Sequence, residues 1–131
     1  MAEADKPADL TYNESHWSNP DRPEGMGLYV KSKVVAEKAA WDFQATLPED
    51  ERFELVTICP GFITGPPMRQ EASAALGWLK RLMTGEMTSV SGDGVGFVDV
   101  RDVAMAHLKG IQVAGAANRR FILVNESPSF H

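Results

Sequence analysis

The apolar positions of the chain fall into alternating helical and extended stretches. Residues 28–47 repeat with a helical period: at ~100° per residue, Tyr29, Lys33, Ala36, Ala39, Ala40, Phe43 and Leu47 share one stripe. Lys31, Lys38 and Asp42 lie opposite, and Pro48 closes the segment. Residues 53–59 (Phe-Glu-Leu-Val-Thr-Ile-Cys) are β-rich and almost continuously apolar, as in a parallel strand covered on both faces. Pro60-Gly61 ends that strand, and Gly65-Pro66-Pro67 breaks the chain again. A second helix is predicted over about 70–83, ending near Gly85, with a short strand over 87–90. Ser91-Gly92-Asp93-Gly94 is turn material. A further apolar run covers 96–100, Asp102 caps a helix running to about Val113, and 119–124 reads as a last strand. Residues 1–27 hold Pro7, Pro20 and Pro23 and form an irregular arm ending at Gly25-Met26-Gly27. The order α-β-α-β-β-α-β indicates an α/β fold with a mostly parallel sheet.

Composition narrows the function. The 131 residues fit one domain or part of one, and a hydrophobic content of 44% suits a globular chain. The net charge of −5 argues against a nucleic-acid partner and against attraction to an anionic membrane. No apolar run is long enough for a spanning helix, and the first residues lack a secretory core. The lone Cys59 sits in an apolar run and suits a reducing, cytoplasmic setting. Asn13-Glu14-Ser15 and Asn125-Glu126-Ser127 match the glycosylation pattern only formally. No spacing of His, Cys or acidic residues indicates a metal site. His107 reads as a packed or surface histidine, Trp41 and Trp78 as packing residues on helices, and Trp17 as an anchor for the arm.

The chemistry centres on Tyr29 and Lys33, four apart on one helix and ~40° apart around its axis. A phenol exchanges protons poorly near neutral pH, and an adjacent ammonium favours its ionised form. Such a pair can give a proton to a carbonyl as hydride arrives, or take one from an alcohol. Chance alone would supply Tyr-x-x-x-Lys in about one such chain in ten. Lys33 falls on the apolar stripe whereas Lys31 and Lys38 do not, so it must snorkel or find a partner. On the residues alone, a catalytic pair and an ordinary helix pair remain equally open.

Residues 29–43, Tyr-Val-Lys-Ser-Lys-Val-Val-Ala-Glu-Lys-Ala-Ala-Trp-Asp-Phe, resemble the active-site helix of the extended short-chain dehydrogenases/reductases, above all the dihydroflavonol and cinnamoyl-CoA reductase group. Cys59-Pro60-Gly61-Phe62-Ile63-Thr64-Gly65-Pro66 is similar to that group's strand-end motif. Phe97-Val98-Asp99-Val100-Arg101-Asp102-Val103-Ala104 resembles a third segment, and Asn13-Glu14-Ser15-His16-Trp17 resembles the stretch before the tyrosine. The resemblance implies an NADP-dependent (or NAD-dependent) oxidoreductase of carbonyl or alcohol groups on small molecules. Tyr29 would be the proton donor, and Lys33 would hold the nicotinamide ribose. The backbone of Pro60, Gly61, Phe62 and Ile63 would lie beside the nicotinamide. The resemblance also implies pairing of two copies through the helix bearing Tyr29. Asp99, Arg101 and Asp102 are assigned structural roles, with Asp102 as cap and Arg101 packed beside it.

Two family features are absent. No Gly-x-x-Gly-x-x-Gly follows a strand and opens a helix, and Gly92-Asp93-Gly94-Val95-Gly96 fails that context. Ser15 and Ser32 do not match the family's catalytic serine. The expectation is therefore a partial Rossmann-like domain over 1–131 that lacks the N-terminal dinucleotide-binding βαβ units. Residues 1–27 form its arm, and 28–131 its catalytic-helix and substrate-side half. Such a chain would be weak or inactive alone, with an uncovered sheet edge. Two readings stay beside the reductase. One is a sugar-nucleotide epimerase/dehydratase or hydroxysteroid dehydrogenase, which shares the Tyr-x-x-x-Lys helix. The other is a non-catalytic fragment or interaction module.

Overall fold

The computed structural model describes residues 11–21, 27–69, 74–87 and 95–126. The expected glycine breaker at 25–26, the start of the second helix at 70–73, most of the strand at 87–90 and the turn at 91–94 lie outside them. Met87 itself is in neither helix nor strand.

The element order is α1 (Gly27–Thr46), β1 (Val56–Pro60), β2 (Phe62–Thr64), α2 (Ala74–Met83), β3 (Phe97–Asp99), α3 (Val100–Gln112) and β4 (Arg119–Leu123), with a single 3₁₀ turn at Ala114–Ala116 before β4. β1 pairs with β4, and β2 pairs with β3. The second pair is parallel, with Phe62 opposite Phe97, Ile63 opposite Val98 and Thr64 opposite Asp99. The α/β class and a parallel pair are thus present, in short two-stranded sheets. The chain divides into two units, one of residues 1–57 with 115–121 and one of residues 58–114 with 122–131.

In the first unit, α1 lies where the periodicity places it, but a different face is buried. Val34 and Gln44 are the buried residues of α1, with Glu37 and Trp41 half-buried. These positions lie ~60–140° around the helix from Tyr29. Tyr29 and Phe43, placed on the core stripe by the sequence, are each 59% exposed. The reason is polar: the inward face of α1 is fixed by hydrogen bonds rather than by its apolar stripe. Gln44 Nε2 donates to the Phe53 carbonyl and to Asn118 Oδ1, each at 2.6 Å. Asn118 Oδ1 also accepts from Leu55 N at 3.2 Å. Those side-chain bonds take up the backbone of residues 53–55, so β1 starts at Val56 rather than at Phe53. Asn118 reaches this position with φ +56, a left-handed conformation that asparagine tolerates.

The second unit is built on the parallel pair β2/β3. The sequence reading leaves Phe62–Thr64, between its two breakers, without an element of its own; it is a strand, because Phe62 N finds Gly96 O at 2.7 Å. Phe62 stacks edge-on against Trp78 at 5.1 Å and Phe97 at 5.5 Å between ring centroids. Val98 and Val103 are buried here. Gly61 and Gly96 meet closely: a Cβ on Gly61 would stand 2.3 Å from Gly96 O. No side chain other than hydrogen fits that crossing. Every residue of β1, including Cys59, is only half-buried, so the strand covered on both faces is not realised.

Asp99 rather than Asp102 caps α3. Its Oδ1 accepts from Arg101 N at 2.8 Å, and Asp102 sits within the first turn of the helix. Arg101 accordingly packs on Asp99, donating from Nε at 2.8 Å and Nη2 at 2.7 Å. A cap must have non-helical backbone, and the β3-to-α3 junction gives this to Asp99, at φ −75 and ψ 138.

Candidate active site

Tyr29 and Lys33 emerge from the first turns of α1. Glycine at 27 starts the helix, and the run to Ala40 has good helix formers with no proline. The i, i+4 spacing brings the two side chains together. The Lys33 ammonium lies over the Tyr29 ring, 5.3 Å from its centroid. Both residues are exposed, so a ligand can reach the phenol and the ammonium. Ser32, beside them in sequence, turns its hydroxyl back to the Tyr29 carbonyl at 2.7 Å and acts as a local helix bond.

Pro60, Gly61, Phe62 and Ile63 belong to the other unit, at the junction of β1 and β2. Gly61 N donates to the Leu123 carbonyl at 3.0 Å, which fixes the bend between the strands. The backbone there is held close to Gly96 and Val124, and Phe62 is turned into its aromatic cluster.

The cluster the sequence reading missed lies one turn beyond Lys33. Glu37 accepts from Arg120 Nε at 2.6 Å and Nη2 at 3.1 Å, a two-pronged ion pair with both side chains more than four-fifths covered. Thr57 Oγ1 donates to the same carboxylate at 2.8 Å and Trp41 Nε1 at 3.3 Å. Burial pushes the Glu37 carboxyl up, but these donors and the Arg120 charge outweigh it and hold it below the usual range. The remaining amine of Arg120 donates to the carbonyls of Glu14 and His16. Trp17 lies against its guanidinium at 3.8 Å, so the expected anchor of the arm has a named partner. A signal existed: Arg120 directly precedes the apolar run Phe121–Leu123 of β4 and Glu37 lies on the inward face of α1, and buried charges of opposite sign look for each other.

The other charged features are local. His107 Nδ1 approaches the Val103 carbonyl at 2.8 Å, within α3. His16 Nδ1 meets Asn13 Oδ1 at 3.0 Å in the arm. Among the described residues no group of three or more His, Cys, Asp or Glu could hold a metal ion. No helix among them is long and apolar enough to cross a membrane. A pocket of about 370 Å³ is lined by Glu14, Ser15, Arg119, Arg120 and Phe121, and one of about 210 Å³ by Val98, Asp102 and residues 122–125; neither includes Tyr29 or Lys33.

No protein-family model matches the chain. Individual proteins do. The NADPH-dependent methylglyoxal reductase GRE2 of Saccharomyces cerevisiae is 34% identical over 125 residues, which is 87% of this chain and 36% of the yeast protein. Cinnamoyl-CoA reductase 1 of Arabidopsis thaliana is 31% identical over 116 residues, 88% of this chain and 32% of the plant protein. The solved structure of yeast methylglyoxal/isovaleraldehyde reductase Gre2 complexed with NADPH is similar at a TM-score of 0.74 and 32% identity, over 88% of this chain and 37% of that one. The chain thus spans between 32% and 37% of these relatives. Similarity in sequence and in fold to these reductases, which are homologues from the extended short-chain dehydrogenases/reductases, runs through nearly all of it.

Proposed function

We propose that this chain carries the proton-transfer side of an NADPH-dependent reductase of small carbonyl compounds, acting with a dinucleotide-binding part like that of its relatives. The single observation that carries the reading is the Tyr29–Lys33 pair, ammonium over ring, at the exposed start of α1. NADPH, when bound, supplies the hydride. Tyr29 then gives its phenolic proton to the carbonyl oxygen. Lys33 would stabilise the phenolate left behind and would hold the ribose hydroxyls, since its exposed ammonium has donors to offer. The residues present fit that part of the cofactor. The preference for NADPH over NADH follows the relatives. The lone Cys59 is consistent with work in the cytoplasm.

The test is a chimera in which residues 11–126 replace the matching segment of yeast Gre2. NADPH consumption with methylglyoxal should persist. Tyr29→Phe should lower kcat by roughly 10²–10⁴, and Lys33→Ala should raise the KM for NADPH as well. An active chimera whose rate is unaffected by Tyr29→Phe would overturn the assignment. For assembly, the exposed Ala36, Ala39 and Phe43 of α1 form the surface through which two copies would pair. Sedimentation of the chain and of Phe43→Lys would show one dimeric and one monomeric species; two identical profiles would dismiss it.

A further inference from the structure

The guanidinium of Arg120 divides its work. Nε and Nη2 face Glu37 in the core of the first unit, while Nη1 and the flat face turn to the arm, to the carbonyls of Glu14 and His16 and to the ring of Trp17. The arm, for its part, is closed on itself. Asn13 Oδ1 accepts from Ser15 N at 3.0 Å and Ser15 Oγ at 2.7 Å, and His16 N donates to Asn13 O at 3.0 Å. Asn19 Oδ1 accepts from Asp21 N at 3.0 Å. Residues 11–21 thus form a string of small turns with no strand partner, held by side chains. Two further ties are Lys38, 5.4 Å from the Trp17 ring centroid, and the exposed Lys31–Asp21 pair at 3.1 Å. Exposed pairs of that kind contribute little.

We infer that residues 11–21 are a strap that opens as a unit of its own, with Arg120 as the latch. The Glu37 side of Arg120 stays shut when the strap lifts, because different nitrogens serve the two sides. Local opening of segments with few buried apolar contacts is an ordinary property of folded chains. The inference concerns folding contacts within one unit and does not depend on the reductase reading.

Amide hydrogen exchange on the intact chain tests it, with Trp17→Ala and Arg120→Lys as variants. Trp17→Ala removes the stacking partner and leaves the Glu37 network untouched. Arg120→Lys keeps a cation for Glu37 but cannot also reach the two carbonyls. In both variants the amides of Ser15, His16 and Asp21 should exchange about ten-fold faster, while those of residues 38–46 and 119–123 keep the wild-type rates. Unchanged arm amides in Trp17→Ala would overturn the latch. Loss of protection in step across the arm, α1 and β4 would overturn the independent strap. If Arg120→Lys fails to fold, Trp17→Ala alone decides both points.

Discussion

Arg120 grips Glu37 with two donors, 2.6 Å from Nε and 3.1 Å from Nη2, across 83 residues of sequence. The pair joins β4 to α1 and is the best-covered ion pair among the described residues. A charge left behind in such a place is more costly than the intact pair is worth. Arg120→Met should therefore destabilise the chain by roughly 2–4 kcal/mol, more than Glu37→Gln, which still accepts hydrogen bonds. Urea unfolding of the two variants checks the order.

The same pair sets an acid limit. The folded-state value of Glu37 is held below its ordinary 4.5, so the unfolded chain takes up the proton first. The stabilisation is whole above that ordinary value and is lost as the pH falls through the lower, folded one. Melting temperature recorded from pH 6 to 3 should drop in the wild type, with a shallower fall in Glu37→Gln.

At the start of α3, the bonds from the Arg101 side chain and backbone hold Asp99 at about 2, against an ordinary 3.8. Its contribution is full above about pH 4 and disappears toward pH 2. Asp99→Asn keeps a capping oxygen and loses the charge, while Asp99→Ala loses both. Melting midpoints from helical circular dichroism at pH 7 should fall in the order wild type, Asp99→Asn, Asp99→Ala, and an Asp102→Ala control should lie near the wild type.

Gln44 is 8% exposed and bridges Phe53 O and Asn118 Oδ1. Gln44→Met fills the space but strands a carbonyl, for a loss of about 1–3 kcal/mol. If denaturant midpoints of Gln44→Met and wild type coincide, the bridge does not contribute.

The helices could be read from the chain because proline and glycine punctuate them and their periods are regular. The Tyr29–Lys33 juxtaposition was legible for the same reason, being local to one helix. What escaped was non-local. The buried face of α1 is chosen by Glu37 and Gln44, whose partners lie at Arg120 and Asn118, and a helical wheel that seeks apolar residues turns the wrong way. β2 escaped because its partner Gly96 is 34 positions away from Phe62 and the segment between its breakers is three residues long. Asp102 drew the cap assignment because it has the right residue type, but the chain turns helical three residues sooner, at the edge of β3.

Two glycines give opposite outcomes on gaining a methyl group. Gly77 lies within α2 with nothing near its missing Cβ, so Gly77→Ala should stabilise by about 0.5–1 kcal/mol. Gly61→Ala forces carbon against Gly96 O and should cost about 2–3 kcal/mol or prevent folding. Thermal melts of the two proteins, read side by side, settle it.

That last contact also bears on inheritance. Where the backbone at Gly61 touches Gly96, the distance between two strands is one main chain's thickness, with no side chain to trade for another. Elsewhere in this unit a larger residue at one position can be answered by a smaller one across from it. Here no second change restores the fit, so any lineage that keeps this strand crossing is expected to keep glycine at the first position and a slim neighbour at the second.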